Sequence, residues 1–258
     1  NYMKNVNMPL FLAIQGYPGE GKTFQTLKIC MESGVKICYI SGAELSGNYE
    51  KDSILDLEEN YIRACNYFAS ENVPCVIIID DFHLSPASTK NGVGTTVNSQ
   101  ILTGFLMNLC DKAKSIEEYR TPVILIGNSF KDVYEPLKRD GRMDFFTWRA
   151  PLEQKYDISY NLFRDLLSKK EMKQIQNFVE SYKEQPVSFF KEIKNDIVKE
   201  RMRCYFNQSK NIDVGRSIFE LDRINTYKVD LQELYELAEK RLKSNYQYSY
   251  EGKCDGEN

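Results

Sequence analysis

Gly16-Tyr17-Pro18-Gly19-Glu20-Gly21-Lys22-Thr23 is the stretch whose reading decides the fold of this chain. It has the spacing G-x-x-x-x-G-K-T, the phosphate-binding loop of nucleoside triphosphatases. The apolar run Leu10-Phe11-Leu12-Ala13-Ile14 precedes it, and Phe24 to Met31 follows with a helical pattern. Strand, glycine loop and helix in that order are the context the motif needs. Gly16 and Gly21 lack side chains, so the backbone there can curl around a polyphosphate. The exposed N–H groups and the positive end of the following helix then face the anion. In this reading Lys22 reaches the β- and γ-phosphates, and the Thr23 hydroxyl binds Mg²⁺.

Composition sets the outer bounds. A length of 258 residues suits one such domain with a smaller domain appended. A hydrophobic content of 42% supports a core, and 28% charge fits a soluble chain. The net charge of −3 and a pI near 5.5 give no overall attraction to nucleic acid, so nucleic acid is not an expected partner. The seven cysteines, Cys30, Cys38, Cys65, Cys75, Cys110, Cys204 and Cys254, form no C-x-x-C pair. They read as reduced thiols, several of them in apolar runs, and point to a cytoplasmic setting. No run approaches membrane-spanning length, and no signal peptide is visible. The chain begins at Asn1, a few residues before the first strand, so a longer parent protein is expected.

Outward from the loop, apolar runs alternate with helical patterns. Residues 10–15 read as a strand and 22–33 as a helix, and Val35 to Ile40 as a second strand. Residues 52–70 carry Ile54, Leu57, Tyr61, Ile62, Cys65 and Phe68 at helical spacing. Val76 to Ile79 reads as a central parallel strand, Val97 to Leu109 as a helix, Val123 to Ile126 as a strand and Phe145 to Trp148 as a weak fifth. This order predicts an α/β parallel sheet covered on both faces. After Pro151 the strand signal stops, and 152–244 reads as helical with breaks near Pro186 and Gly215. The expected organisation is a nucleotide-binding α/β domain over 1–150 and an α-helical lid domain over 151–258, ending in a polar, loosely ordered tail from Tyr246.

The second half of the site is sought at the ends of the other strands. Asp80 ends the third apolar run, where an acidic residue holds Mg²⁺ in P-loop proteins, and Asp81 takes the position that orients the attacking water. His83, the single histidine, reads as loop surface. Asn128 follows the strand Val123 to Ile126, as a γ-phosphate contact or as a turn former in Gly127-Asn128-Ser129. Arg139 and Arg142 flank a tight turn. They read as solvated or carboxylate-paired, or as arginine fingers into a neighbouring subunit. The chain has no N-K-x-D base-reading motif of a GTPase. The two-part layout, the polar strand tip and the late arginine pair favour an AAA+ P-loop NTPase.

Four segments carry a more specific resemblance, to the AAA+ module of rubisco activase, over roughly residues 8–210. Gly19-Glu20-Gly21-Lys22-Thr23-Phe24-Gln25 resembles the family's glycine loop with its following Phe-Gln. Ser41-Gly42-Ala43-Glu44-Leu45-Ser46-Gly47-Asn48 is similar to its Ser-Ala-Gly-Glu-Leu-Glu-Ser-Gly-Asn stretch. Gly94-Thr95-Thr96-Val97-Asn98-Ser99-Gln100 with Leu106-Met107-Asn108 is the third. The fourth is Gly127-Asn128-Ser129-Phe130 followed by Tyr134-Glu135-Pro136-Leu137-Lys138-Arg139-Asp140-Gly141-Arg142-Met143. Gln185 and Phe189-Phe190 look like the family's lid. The family's amino-terminal client-engaging domain is not part of the match.

The resemblance implies an ATP hydrolase that assembles into a ring, a hexamer in the family's manner, and remodels a protein client. ATP and Mg²⁺ are the implied cofactors, bound between the two domains. Gly16, Pro18, Gly19, Glu20, Gly21, Lys22, Thr23 and Phe24 would bind nucleotide, Thr23 and Asp80 the metal. Asn128 would sense the γ-phosphate, with Arg139 and Arg142 as intersubunit fingers. Loops 41–49 and 84–95 would face the central pore. The family carries lid arginines after its Phe-Phe pair; here Lys194 is the basic residue at a matching position, without arginine's bidentate fork. Rubisco itself is not carried over as the client. A nucleotide-dependent switch with weak hydrolysis and a DNA-associated AAA+ ATPase are the alternative readings.

Overall fold

Six consecutive buried residues, Cys75-Val76-Ile77-Ile78-Ile79-Asp80, form the strand around which the first half of the chain is built. Burial on both faces is what a continuous apolar run predicts for an interior parallel strand. A computed structural model describes residues 8–46, 50–82, 85, 97–115, 120–208 and 228–254. Its backbone packing divides the chain into two units, Asn1–Arg149 and Ala150–Asn258.

The first unit contains β1 (Phe11–Gln15), α1 (Lys22–Glu32), β2 (Lys36–Ser41), α2 (Glu50–Glu71), β3 (Cys75–Asp80), α3 (Val97–Ser115), β4 (Val123–Ile126) and β5 (Met143–Thr147). The five strands form one parallel sheet in the order β2-β3-β4-β1-β5. β4 therefore lies between the strand that leads into the glycine loop and the strand that ends in Asp80. Its own end, at Gly127 and Asn128, is held beside β1 by the Gly127 N–H donating to the Ile14 carbonyl at 3.0 Å. Phe11, Ala13, Ile40, Ile77, Ile79 and Leu125 pack with Leu57, Tyr61, Leu102 and Leu106 of α2 and α3. Ile14, Val76, Ile78 and Ile126 pack with Cys30 and Leu27 of α1 in a separate cluster. The sheet is covered as the alternating pattern requires.

Most element boundaries shift by a few residues from the sequence reading, and two of the shifts have a clear physical cause. β5 starts at Met143 rather than Phe145, because Met143 pairs with Phe11 and Asp144 with Leu12. The strand is weak as a sequence signal because it is the sheet's edge: after buried Met143, its residues Asp144 to Thr147 are exposed. α1 ends at Glu32, and Gly34 takes a left-handed turn with φ 68°.

The second unit contains α4 (Leu152–Phe163), α5 (Lys169–Met172), α6 (Ile175–Ser181), α7 (Val187–Gln208) and α8 (Leu231–Cys254). The break at Pro186 separates α6 from α7. A second break precedes α5, where Ser168 and Glu171 form a reciprocal capping box. The expected break at Gly215 lies outside the described residues. The tail read as loose from Tyr246 is helical to Cys254. No proline follows Pro186, and Leu234 and Ala238 anchor α8 in the core, so the helix propagates through Gly252 to Cys254. The core is aromatic: Phe178 meets the rings of Phe163, Tyr182, Phe190 and Tyr235 at centroid distances of 5.1–6.2 Å. Lys155 is buried, and its ammonium donates to the carbonyls of Lys183 and Gln185 at 2.9 and 2.7 Å. It thereby holds α4 against the α6–α7 turn.

Phe178 has no exposed surface and touches four rings. Phe178→Ala is expected to destabilise the second unit by about 3–5 kcal/mol, as for a core aromatic truncation. Urea denaturation followed by circular dichroism measures this; a loss below about 1 kcal/mol would contradict the assigned core.

Candidate functional site

The glycine loop is shaped by a close approach of two backbone segments. Gly16 has φ 156°, and a Cβ placed there would meet the Trp148 carbonyl oxygen at 2.1 Å. Trp148 also braces the loop. Its N–H donates to the Gln15 carbonyl at 2.7 Å, and its indole Nε1 donates to the Glu20 carbonyl at 2.8 Å. Gly19 and Gly21 are left-handed, with φ 78° and 81°. α1 then begins at Lys22, and no side chain caps its N-terminus. Its first-turn N–H groups are left for another acceptor, and the helix dipole favours an anionic one. Pro18 and Gly19 are exposed on this loop, Glu20 is buried beneath it, and Phe24 is exposed on α1.

Lys22 is buried, yet its ammonium lies among oxygens. It donates to the Gly16 and Tyr17 carbonyls at 2.8 and 2.9 Å and to Asn128 Oδ1 at 3.1 Å. Burial lowers its pKa, and the carboxylates of Asp80, Asp81 and Glu20 oppose that shift. A phosphate in the loop would act in the same direction as those carboxylates and hold the charge on Lys22. The Lys22–Asn128 bond brings the tip of β4 to the glycine loop, so two residues 106 positions apart share one site.

Asp80 is the third member. Its Oδ1 accepts from the Thr23 hydroxyl at 3.0 Å and from the Asp81 N–H at 2.9 Å, and its Oδ2 accepts from the Tyr39 hydroxyl at 2.7 Å. Thr23 and Asp80 are thus adjacent oxygen donors of the kind that suits Mg²⁺, which completes its octahedron with waters and substrate phosphates. Among the described residues no group of three or more His, Cys, Asp or Glu side chains could hold a metal by itself. The donor set fits a hard ion bound jointly with a polyphosphate rather than a protein-only metal cage.

Asp81 is exposed and left-handed, with φ 51°. Gly42 makes that conformation possible. Its N–H donates to the Asp80 carbonyl at 2.6 Å, and a Cβ on it would lie 2.5 Å from the Asp81 carbonyl oxygen. Arg139 and Arg142 lie on the turn before β5 and differ in setting. Arg139 is exposed, and its guanidinium has no partner among the described residues. Arg142 donates to the Pro136 carbonyl at 2.9 Å and pairs with Asp111 of α3 at 3.4 Å. Lys194 lies on α7 of the second unit, half-exposed. His83, residues 47–49 and loop 84–95 apart from Ser85 lie outside the described residues.

Two contributors carry no sequence motif: Tyr39 and Trp148. Burial, and then its bond to the Asp80 carboxylate, push the Tyr39 phenol up to about 12. Gly42 lies in the Ser41–Asn48 stretch that carries the family resemblance, but its close approach to Asp81 is visible only in the structure.

Among the described residues no helix is long and apolar enough to cross a membrane. Residues 12–150 match the family model described as "ATPase family associated with various cellular activities (AAA)". Among curated proteins, the chain is 31% identical over 216 residues to ribulose bisphosphate carboxylase/oxygenase activase of an Anabaena species, covering 80% of this chain and 51% of that protein. It is 28% identical over 228 residues to the chloroplastic activase of Spinacia oleracea, covering 84% of this chain and 47% of that protein. The chain spans about half the length of the curated relatives it matches. The strand-loop-helix geometry, the parallel sheet with Asn128 between the glycine loop and Asp80, and the matched family model together mean that this chain belongs to the ATPase family associated with various cellular activities, as a rubisco activase-like AAA+ module.

Proposed function

We propose that this chain hydrolyses ATP at subunit interfaces of a ring homo-oligomer, a hexamer, and uses the cycle to remodel a protein client. The observation that carries this reading is the convergence of Lys22, Thr23, Asp80 and Asn128 beside an uncapped helix N-terminus. The loop N–H groups and Lys22 bind the polyphosphate. Thr23 and Asp80 hold Mg²⁺, which neutralises charge on the phosphoryl oxygens when bound. Asn128 contacts the γ-phosphate, and Asp81 orients the attacking water and takes up its proton. The exposure of Arg139 supports a finger role, since its guanidinium is available to another subunit. Arg142 acts beside it from its anchorage on Pro136 and Asp111. The relatives are named as activases of ribulose bisphosphate carboxylase/oxygenase, which supports a protein as the client class.

Lys22→Ala is expected to weaken ATP binding at least about tenfold, as for loss of a hydrogen bond to a charged group. Arg139→Ala is expected to lower turnover about a thousandfold with ATP affinity nearly intact, as for loss of an arginine finger. Mixing the two inactive variants provides the joint test by phosphate release. A Lys22→Ala subunit retains its fingers and can complete the site of an Arg139→Ala neighbour, so partial activity should return. Full activity of Arg139→Ala alone, or no recovery on mixing, would contradict the interface assignment.

A further inference from the structure

The Asp80 carboxylate is fixed from three sides. Thr23 at the start of α1 and the Asp81 backbone both hold Oδ1. Oδ2 has one donor among the described residues, the Tyr39 hydroxyl at 2.7 Å. The carboxyl torsion of aspartate is broad and nearly two-fold, so a group held at one oxygen can still turn. A donor at the second oxygen removes that freedom. Asp80 is 9% exposed, and an unmet oxygen there would also carry a desolvation penalty.

The sheet register explains how Tyr39 reaches it. Tyr39 pairs with Ile78 and Ser41 with Asp80, so Tyr39 and Asp80 share a face but sit two residues apart along the strands. Two residues span about 6.6 Å, a distance that an aromatic side chain leaning along the strand can bridge and a short one cannot. Tyr39 as a whole is 50% exposed. Its ring therefore contributes modestly to the core, while its hydroxyl is directed at the buried carboxylate.

We propose that Tyr39 is a positioning residue that orients the Asp80 carboxylate for Mg²⁺, and so sets how strongly the metal assists nucleotide binding. The inference rests on the reading of Thr23 and Asp80 as the metal-holding pair. Tyr39 acts through Asp80 and touches neither nucleotide nor metal. Its removal spares the glycine loop and Lys22, whose hydrogen bonds to Gly16, Tyr17 and Asn128 do not involve Tyr39.

The test is calorimetric binding of a non-hydrolysable ATP analogue to the full chain, in excess MgCl₂ and in EDTA, for the wild type, Tyr39→Phe and Asp80→Asn. The ratio of the two dissociation constants is the metal's contribution. In Tyr39→Phe that ratio should shrink about tenfold, the usual effect of losing an outer-shell partner, with affinity in EDTA held within about twofold. The MgCl₂ concentration that half-saturates binding should rise, and the thermal midpoint without nucleotide should fall by no more than a few degrees, as for the loss of one buried hydrogen bond. In Asp80→Asn the ratio should collapse. If Asp80→Asn loses the metal effect while Tyr39→Phe keeps it, Tyr39 does not position the carboxylate. If Asp80→Asn keeps the effect, the metal pair itself is misassigned and the role of Tyr39 falls with it. A loss of affinity in Tyr39→Phe that is equal in EDTA and MgCl₂ would mean a structural role and would overturn the inference.

Discussion

A carboxylate ends the most deeply buried strand of the sheet, and the organisation of the candidate site follows from satisfying it. Burying an anion without partners costs several kcal/mol even after relaxation. Asp80 is satisfied by donors from α1, β2 and its own backbone, with Lys22 as the nearby cation. Each donor fixes an element. Thr23 sets the start of α1 against the end of β3, and Tyr39 sets the edge strand β2. The Gly42 N–H, bonded to the Asp80 carbonyl, locks the turn that leaves β2. The sheet order then places the tip of β4 where Asn128 can meet Lys22.

The glycine loop obeys a complementary constraint. It must keep its N–H groups free while its backbone bends tightly, so its support comes from groups that occupy its carbonyls instead. Lys22 takes the carbonyls of Gly16 and Tyr17, and the Trp148 indole takes that of Glu20. The donors of the first helical turn stay directed at the position a polyphosphate would fill. Trp148 couples this arrangement to the edge strand β5, which explains why an exposed and weakly patterned strand belongs to the site.

The sequence makes some of this legible and hides the rest for physical reasons. Gly16 to Thr23 is readable because a phosphate loop constrains residue type at fixed spacing. β3 and β4 are readable because interior strands are apolar on both faces. β5 is half-hidden because an edge strand needs no such run. Tyr39 and Trp148 are invisible as site residues, since their roles depend on strand register and on loops brought together by folding. The arginine pair was legible as a pair. Their different settings were not, because Arg142 finds Asp111 only when α3 packs near the turn.

The most direct test of the central claim, that active sites are completed between subunits, is ATP hydrolysis per subunit measured as protein concentration rises from nanomolar to tens of micromolar. The account predicts a steep rise as rings assemble, because Arg139 of one subunit completes the site of the next. A flat, non-zero rate per subunit across the range would mean that each chain hydrolyses ATP alone, and the intersubunit account would be contradicted.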